Sequence, residues 1–273
     1  MKSHIGSSHR LRFLLSILSM GILVVAQQPQ TPGNNSQPSL DYLRTASLTH
    51  KMLLYRSALG DRFDKPGKER VVLLGSLTKG NSPPVPISIL RDIKGNARLD
   101  DQSPNGRSLG FDGLSVWSSK APVAQDDLDL MESIQHDTVE TLLFAAQKPG
   151  TAIREEALRA KTEGIPGRNY YDVYIVRDTI QFDGKPHLVA KTFLVDSDTQ
   201  LLDRVTYKIL RNGVQVRFDT RIAGWLLIGG QRYPAIVERF QSGVRTHLLN
   251  FSTASTLPNA IDDSFKLPVG GSR

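Results

Sequence analysis

The chain has 273 residues, 39% of them hydrophobic and 22% charged, and its formal net charge is +7. It contains no cysteine, which excludes disulfides, thiolate nucleophiles, cysteine metal ligands and the lipid-modified cysteine that anchors a bacterial lipoprotein. The basic residues form no dense stripe interleaved with aromatics, so nucleic acid is not expected as a partner. The length favours one domain built on a single large sheet.

Residues 1–26 have the three parts of a secretory signal peptide. Positive charges at Lys2, Arg10 and Arg12 precede an apolar run that ends at Ala26. The run is too short for a transmembrane helix, which needs roughly twenty apolar residues. We expect cleavage after Ala26 and release into a bacterial periplasm without a membrane anchor. Losing three of the 34 basic residues leaves 31 against 27 acidic ones, a net charge of +4.

A polar spacer separates this signal from the folded part of the chain. Residues 27–38 contain no apolar anchor, so they predict a disordered linker. A helix is predicted from an N-cap at Ser39 to Gly60. We assign a single domain to residues 39–268 and a disordered tail to residues 269–273.

After the first helix the hydrophobic residues recur with a period of two, which indicates strands. Val71, Leu73 and Leu77 share one face of the first strand, and Ile87 and Ile89 share a face of the next. Shorter strands are predicted over Ala97–Leu99, Ser108–Phe111 and Leu114–Ser118.

A second helix is predicted over residues 124–147. Asp126 and Asp127 lie in its first turn, where carboxylates favour the positive end of the helix dipole. Pro149 is expected to stop this helix. The charged segment that follows predicts a further short helix over Arg154–Lys161.

The C-terminal part shows the most regular alternation. Val216, Phe218 and Thr220 alternate with polar neighbours, which indicates one covered and one solvated face. Dipeptides typical of tight turns occur at Asp183-Gly184, Asn212-Gly213, Gly229-Gly230 and Ser242-Gly243. The strands between them are predicted at Tyr171–Arg177, His187–Asp196, Leu202–Leu210, Val214–Ile222, Tyr233–Phe240 and Arg245–Thr253. Such a stretch is typical of an antiparallel meander.

No group of residues has the spacing of a catalytic or metal site. The histidines after the signal, His50, His136, His187 and His247, form no pair with metal-ligand spacing. Neither a nucleophile elbow nor a glycine-rich phosphate loop occurs. We therefore expect no enzyme activity, no cofactor and no metal ion. A glycosidase that assembles two carboxylates from distant strands remains an alternative.

The remaining evidence in the sequence concerns the shape of the sheet. A large antiparallel sheet with one apolar face and only two or three helices to cover it predicts a mainly β (α+β) fold. The sheet is expected to curve into an unclosed half-barrel. A concave apolar surface of this kind can hold a hydrophobic ligand.

Three segments of the chain resemble LolA-like periplasmic proteins. In the first, the hydrophobic strand Phe193–Asp196 turns at Asp198-Thr199 and returns over Leu202–Ile209. Gly230–Pro234 is similar to the turn and proline entry into a strand in that family. Residues 259–268 are similar to its closing Asn, Ile, Asp, Phe, Pro signature, with altered spacing.

The resemblance implies an unclosed antiparallel barrel, plugged by helices around an apolar cavity, in a family that carries lipoproteins or binds other lipids. The basic residue with which the carrier holds its closed state is not identified in this sequence. We expect a non-catalytic periplasmic carrier or chaperone for a lipid, acyl chain or lipoprotein. The alternative is an envelope protein-interaction or stress-sensing module with no small ligand. The residues expected to bind the ligand beneath the helix at 124–147 are Leu73, Leu77, Ile87, Ile89, Trp117, Leu143, Phe144, Tyr207, Val216 and Phe218.

Overall fold

Three helices and fourteen strands make up the part of the chain that the computed structural model describes. This part comprises residues 47–60, 69–92, 95–112, 115–120, 122–147, 153–160, 170–182, 185–211, 213–258, 264–266 and 268. The helices are α1 (Leu48–Ala58), α2 (Gln125–Gln135) and α3 (Val139–Gln147). The strands are β1 (Glu69–Lys79), β2 (Val85–Asp92), β3 (Ala97–Asp101), β4 (Ser108–Phe111), β5 (Val116–Ser118), β6 (Ile153–Ala160), β7 (Tyr170–Phe182), β8 (Lys185–Asp196), β9 (Leu202–Arg211), β10 (Val214–Ile222), β11 (Trp225–Ile228), β12 (Gln231–Pro234), β13 (Ile236–Gln241) and β14 (Val244–Pro258). The predicted signal peptide, linker and C-terminal tail lie outside the described residues. None of the described helices has the length and hydropathy needed to cross a membrane.

Twelve of the strands form one sheet in the order β5-β4-β3-β2-β1-β14-β13-β10-β9-β8-β7-β6. Helix α2 contacts β3 and β4 near one edge of this sheet and β7 near the other. Because strands near both edges of the sheet contact the same helix, the sheet must curve around that helix. The predicted fold class, an unclosed antiparallel half-barrel with helices, is therefore confirmed. We call the helix-covered face the inner face and the opposite face the outer face.

The N-terminal strands have the predicted faces. Val71, Leu73 and Leu77 of β1 and Ile87 and Ile89 of β2 are all buried, and they pack in one apolar cluster with α2. The two strands pair antiparallel, so their alternate residues reach the same side of the sheet. The period of two thus identified the inner face correctly.

The predicted meander is confirmed in its order, with one break. Turn residues Gly229, Gly230, Ser242 and Gly243 have φ of 59°, 80°, 49° and 87°, the left-handed conformation that tight hairpins require. The predicted strand Tyr233–Phe240 is wrong as one unit, because β12 ends at Pro234 and β13 starts at Ile236. Proline has no N–H with which to continue a ladder. Strands β11 and β12 instead form a separate hairpin, which the sequence did not predict.

Both long helices of the prediction have different bounds in the structure, and residues 39–46 of the first lie outside the described residues. Ser47 has an extended backbone (φ −63°, ψ 153°), and its side chain accepts a hydrogen bond from the His50 N–H. Its hydroxyl thereby caps α1, and a helix that continues through it from Ser39 is excluded. The predicted helix over 124–147 is two helices, α2 and α3, because the chain turns at His136–Thr138. Thr138 then accepts from the Thr141 N–H at the start of α3.

The predicted short helix over Arg154–Lys161 is wrong, because Ile153–Ala160 is strand β6. It pairs antiparallel with β7, for example Arg154 with Ile175 and Glu155 with Tyr174. Glu, Ala, Leu and Arg favour helix in isolation. Pairing with a long strand overrides this weak preference.

Candidate functional site

Two of the buried cations on the inner face bind the helix layer through shared carboxylates. The side chains of Arg239 on β13 and Lys191 on β8 are 1% and 0% exposed. The Arg239 Nε and Nη2 lie 3.1 and 2.7 Å from Asp129 Oδ1, and its Nη1 donates to Asp137. The Lys191 Nζ lies 2.8 Å from Asp137 Oδ1 and also donates to Glu132. We call these five residues the inner ion network.

Neutral groups complete the hydrogen bonds of the inner ion network. The Thr220 hydroxyl donates to Asp137 over 2.6 Å and accepts from Arg239 over 2.8 Å. The Tyr207 hydroxyl accepts from the same guanidinium. The guanidinium carbon also lies 4.7 Å from the Phe218 ring centroid, within cation–π range. Because the acids stand on α2 and the turn after it, the network holds this segment against β8 and β13.

Burial and charge shift the titration of this region. Burial would lower the pKa of Lys191, but Asp137 and Glu132 outweigh it and raise that pKa well above its ordinary value. Burial would raise the pKa of Glu132, yet Lys191 and His136 lower it. Burial raises the pKa of the Tyr207 hydroxyl. Lys191 and Glu132 therefore stay charged, and Tyr207 neutral, across the neutral pH range.

A second group beside the network has the composition of a metal site. The ligand atoms of Glu132, His136 and Asp178 all lie within 4.8 Å of one another. However, the Lys191 Nζ donates to Glu132 and lies 3.1 Å from Asp178 Oδ2. An ammonium thus already supplies the positive charge that these carboxylates need. The geometry favours an ion pair over a metal here.

One cavity directly beneath the helices is small. A central cavity of about 30 Å³ lies between the helices and the inner face, room for about two water molecules at the 10–15 Å³ that one requires. Its lining is Leu73, Ile89, Arg91, Ser133, Ile134, Asp137, Thr138, Val139, Glu140, Ile222, Trp225, Pro234, Val237, Leu249 and Phe251.

A larger volume lies towards one end of the sheet. This cavity, which we call the β1–β4 cavity, measures about 240 Å³, and an apolar cavity of about 150 Å³ is enough to bind benzene. Lys79 and Arg107 lie on its polar side, and both bond to the buried Asp127. Its full lining is Leu77, Lys79, Ser82, Pro83, Val85, Leu99, Asp101, Arg107, Leu109 and Leu130.

The first four predicted ligand-binding residues lie together in the apolar cluster under α2. Leu73 and Ile89 line the central cavity, and Leu77 lines the β1–β4 cavity. Ile87 is buried in the same cluster. The structure thus brings these residues together on one face, although only three of them line a cavity and those three are divided between two cavities.

The other predicted residues lie elsewhere. Tyr207, Val216 and Phe218 belong to a separate apolar cluster with β7 and β8 residues, and Leu143 belongs to a third, with α1. Phe144 is 48% exposed. Trp117 pairs with Gly110 on the outer face and donates its indole N–H to the Phe265 carbonyl over 2.7 Å. These six residues line neither of the two cavities described above.

The sequence reasoning missed the network residues, although a signal was present. Lys191 lies between Val189 and Phe193 in the alternation of β8, where an apolar residue is expected. Arg239 follows Val237 in the same way on β13. A cation at an inward position of a strand is rare unless it is paired. That rule identifies both residues but not their partners on α2.

The comparisons with known proteins agree with this architecture. No family model matches the chain, and no curated protein sequence matches it significantly. A solved LolA superfamily protein from Nitrosomonas europaea matches with a TM-score of 0.51 at 12% identity, over 81% of this chain and 98% of that one. A DUF1329 family protein from Desulfovibrio piger matches with a TM-score of 0.50 at 14% identity, over 81% of this chain and 98% of that one.

A third solved structure is a domain from Vibrio parahaemolyticus described as an outer membrane lipoprotein-sorting protein. It matches with a TM-score of 0.50 at 8% identity, over 80% of this chain and 97% of that one. The chain therefore has the LolA-like fold that its sequence resembles. At these identities the likeness concerns the fold, and function has to be argued from the site.

Proposed function

We propose that the protein is a periplasmic carrier that binds an acyl chain or another apolar ligand on the inner face of its half-barrel. The observation that carries this proposal is the β1–β4 cavity of about 240 Å³, lined mainly by apolar side chains. The LolA-like fold supports it, since one neighbour is described as a lipoprotein-sorting protein. Export by a signal peptide over residues 1–26 is part of the proposal.

The cavity takes only part of a lipid, so a larger ligand requires the helices to move. The central cavity adjoins the segment that the inner ion network holds, since Asp137 lines it. Release of Arg239 and Lys191 would free α2 and join the two volumes. We infer that the structure is the closed form. We also infer that Arg239 and Lys191 of the inner ion network are the basic residues that hold this form and that the sequence did not reveal.

A cavity-filling substitution tests the ligand site. Leu130 of α2 and Leu142 of α3 are both fully buried, but only Leu130 lines the β1–β4 cavity. We expect Leu130→Phe to abolish uptake of a fluorescent fatty acid with little loss of stability, because the added atoms enter empty space. Leu142→Phe is the control, since overpacking costs about 1–3 kcal/mol but leaves the cavity unchanged.

Native mass spectrometry of the gently purified chain provides the direct readout. A co-purified lipid that Leu130→Phe loses and Leu142→Phe retains would support the proposal. No bound lipid, together with equal fatty acid uptake by both variants, would contradict it.

The alternative is an envelope protein-interaction or stress-sensing module without a small ligand. The observation that favours it is the central cavity, which at about 30 Å³ is too small for an acyl chain. Under this alternative the chain takes up no lipid, and Leu130→Phe leaves its capture of a periplasmic protein unchanged. An enzyme is disfavoured, because the charged cluster on the inner face is buried and its members pair with one another.

A further inference from the structure

One end of the outer face carries a row of exposed cations across neighbouring strands. Lys208 on β9 pairs directly with Arg217 on β10. On β7, Arg177 pairs with Ala190 of β8. The β8–β9 pairing ends at Thr192 opposite Thr206. Ala190 and Lys208 each lie two residues beyond that pair, on the same face of their strands. All three cations are exposed.

The adjacent row, nearer the hairpin ends, carries two exposed leucines. Leu188 pairs with Thr179, and Leu210 pairs with Gln215. Each leucine lies two residues further along its strand than Ala190 or Lys208, so both lie on the outer face. They are 74% and 67% exposed, and together they form a small apolar patch beside the cations.

Neither feature is explained by folding. Like charges directly opposite one another destabilise a sheet, yet Lys208 and Arg217 are paired in this way. Among the described residues of the two rows there is no acidic side chain, and none of the three cations forms an ion pair with another described residue. Neighbouring exposed leucines likewise bring no stability to an isolated chain.

We propose that this end of the outer face docks onto the surface of a membrane that contains anionic lipids. The cations bind lipid phosphates, and Leu188 and Leu210 enter the boundary between head groups and acyl chains. This combination of charge and apolar side chains is what interfacial binding requires. The docking surface is on the opposite side of the sheet from both cavities, so the inference does not rest on the proposed ligand site.

Vesicle binding tests the proposal with matched variants. The mature chain is mixed with vesicles of phosphatidylcholine, with and without phosphatidylglycerol, and the bound fraction is measured by sedimentation. We expect binding only to the anionic vesicles, weakened by salt. Each basic residue at such a surface contributes about a fivefold change in partitioning, so Lys208→Gln should reduce binding about fivefold.

The controls are chosen for equal exposure and equal chemistry. Lys120→Gln removes one exposed lysine beyond β5, at the other edge of the sheet, and should leave binding unchanged. Leu210→Ser should weaken binding, whereas Leu227→Ser should not, although both leucines are 67% exposed. Circular dichroism checks that all four variants keep the fold.

Four results would overturn the proposal. The chain could fail to bind anionic vesicles, could bind neutral vesicles equally well, or could lose the same affinity through Lys120→Gln as through Lys208→Gln. Binding to an acidic protein surface without binding to vesicles would also refute it.

Discussion

Arg239 is the residue whose removal should disturb the molecule most. Its guanidinium makes five hydrogen bonds, to Asp129, Asp137, Thr220 and Tyr207. In Arg239→Met, Asp137 keeps Lys191 and Thr220 as partners. Among the described residues, Asp129 keeps only His247 nearby, whose Nδ1 lies 3.8 Å from its Oδ2. A buried carboxylate that loses its cation costs about 3–5 kcal/mol, and we expect a loss of that size.

Urea unfolding measures this loss, with Arg221→Met as the control. Arg221 also pairs with an aspartate on the sheet, Asp219, over 3.1 Å, but its side chain is half-exposed. Asp219 is buried, but it keeps Arg204 as a partner in this variant. A pair to a half-exposed cation contributes about 0–1 kcal/mol, so the control should be nearly neutral. Midpoints and slopes are compared by linear extrapolation.

A second substitution distinguishes an unpaired charge from a simple loss of packing. Replacing both members of a buried pair by apolar residues is often close to neutral, so Asp129→Leu should restore most of the stability that Arg239→Met loses. Equal losses in Arg239→Met and Arg221→Met would refute the reasoning. So would a double variant whose loss is the sum of the two single losses.

Two further predictions concern titration and packing. Burial lowers the pKa of His247 to about 4 from its ordinary 6.5, although Asp129 opposes the shift. The unfolded chain therefore binds the proton more readily than the folded chain. As a result, the free energy of unfolding falls as the pH drops from 6.5 towards 4. His247→Asn should remove up to about 3 kcal/mol of this fall, and urea unfolding at a series of pH values would show an unchanged fall if the assignment were wrong. A Cβ on Gly110 would lie 2.2 Å from the Trp117 ring, so Gly110→Ala should cost about 1–3 kcal/mol in thermal unfolding. The loss should shrink when Trp117→Leu is added, and a loss that stays the same would contradict the clash.

The fold could be predicted from the sequence wherever the spacing of apolar residues along a strand determines which side chains are buried. Val71, Leu73 and Leu77 alternate with more exposed neighbours, and that period alone gave the right face. The wrong predictions concern segments in which a few polar contacts determine the backbone conformation. Ser47 ends a helical pattern because its hydroxyl caps α1. Asp137 bonds to Lys191 and Arg239, and the chain bends there although Ile134 and Val139 continue the apolar spacing of a helix.

The site was harder to predict from the sequence because its residues are far apart in the chain. Arg239 and Asp129 are separated by 110 residues, and no local pattern links them. Cavity volume is a further quantity that spacing does not contain. Leu73 and Leu77 share a face of one strand, yet one lines the small central cavity and the other a volume of about 240 Å³.

The position of β14 has a consequence for how the chain folds. This strand is the last in sequence, yet it lies between β1 and β13 and is the only described strand that joins the N-terminal five to the rest of the sheet. Strands β1–β5 can pair with one another early, but β1 keeps a bare edge until Val244–Pro258 arrives. Contacts between segments so far apart form slowly. A chain that has to cross a membrane before it folds would gain from this arrangement, because the half-barrel cannot assemble until almost all of the polypeptide has reached the far side.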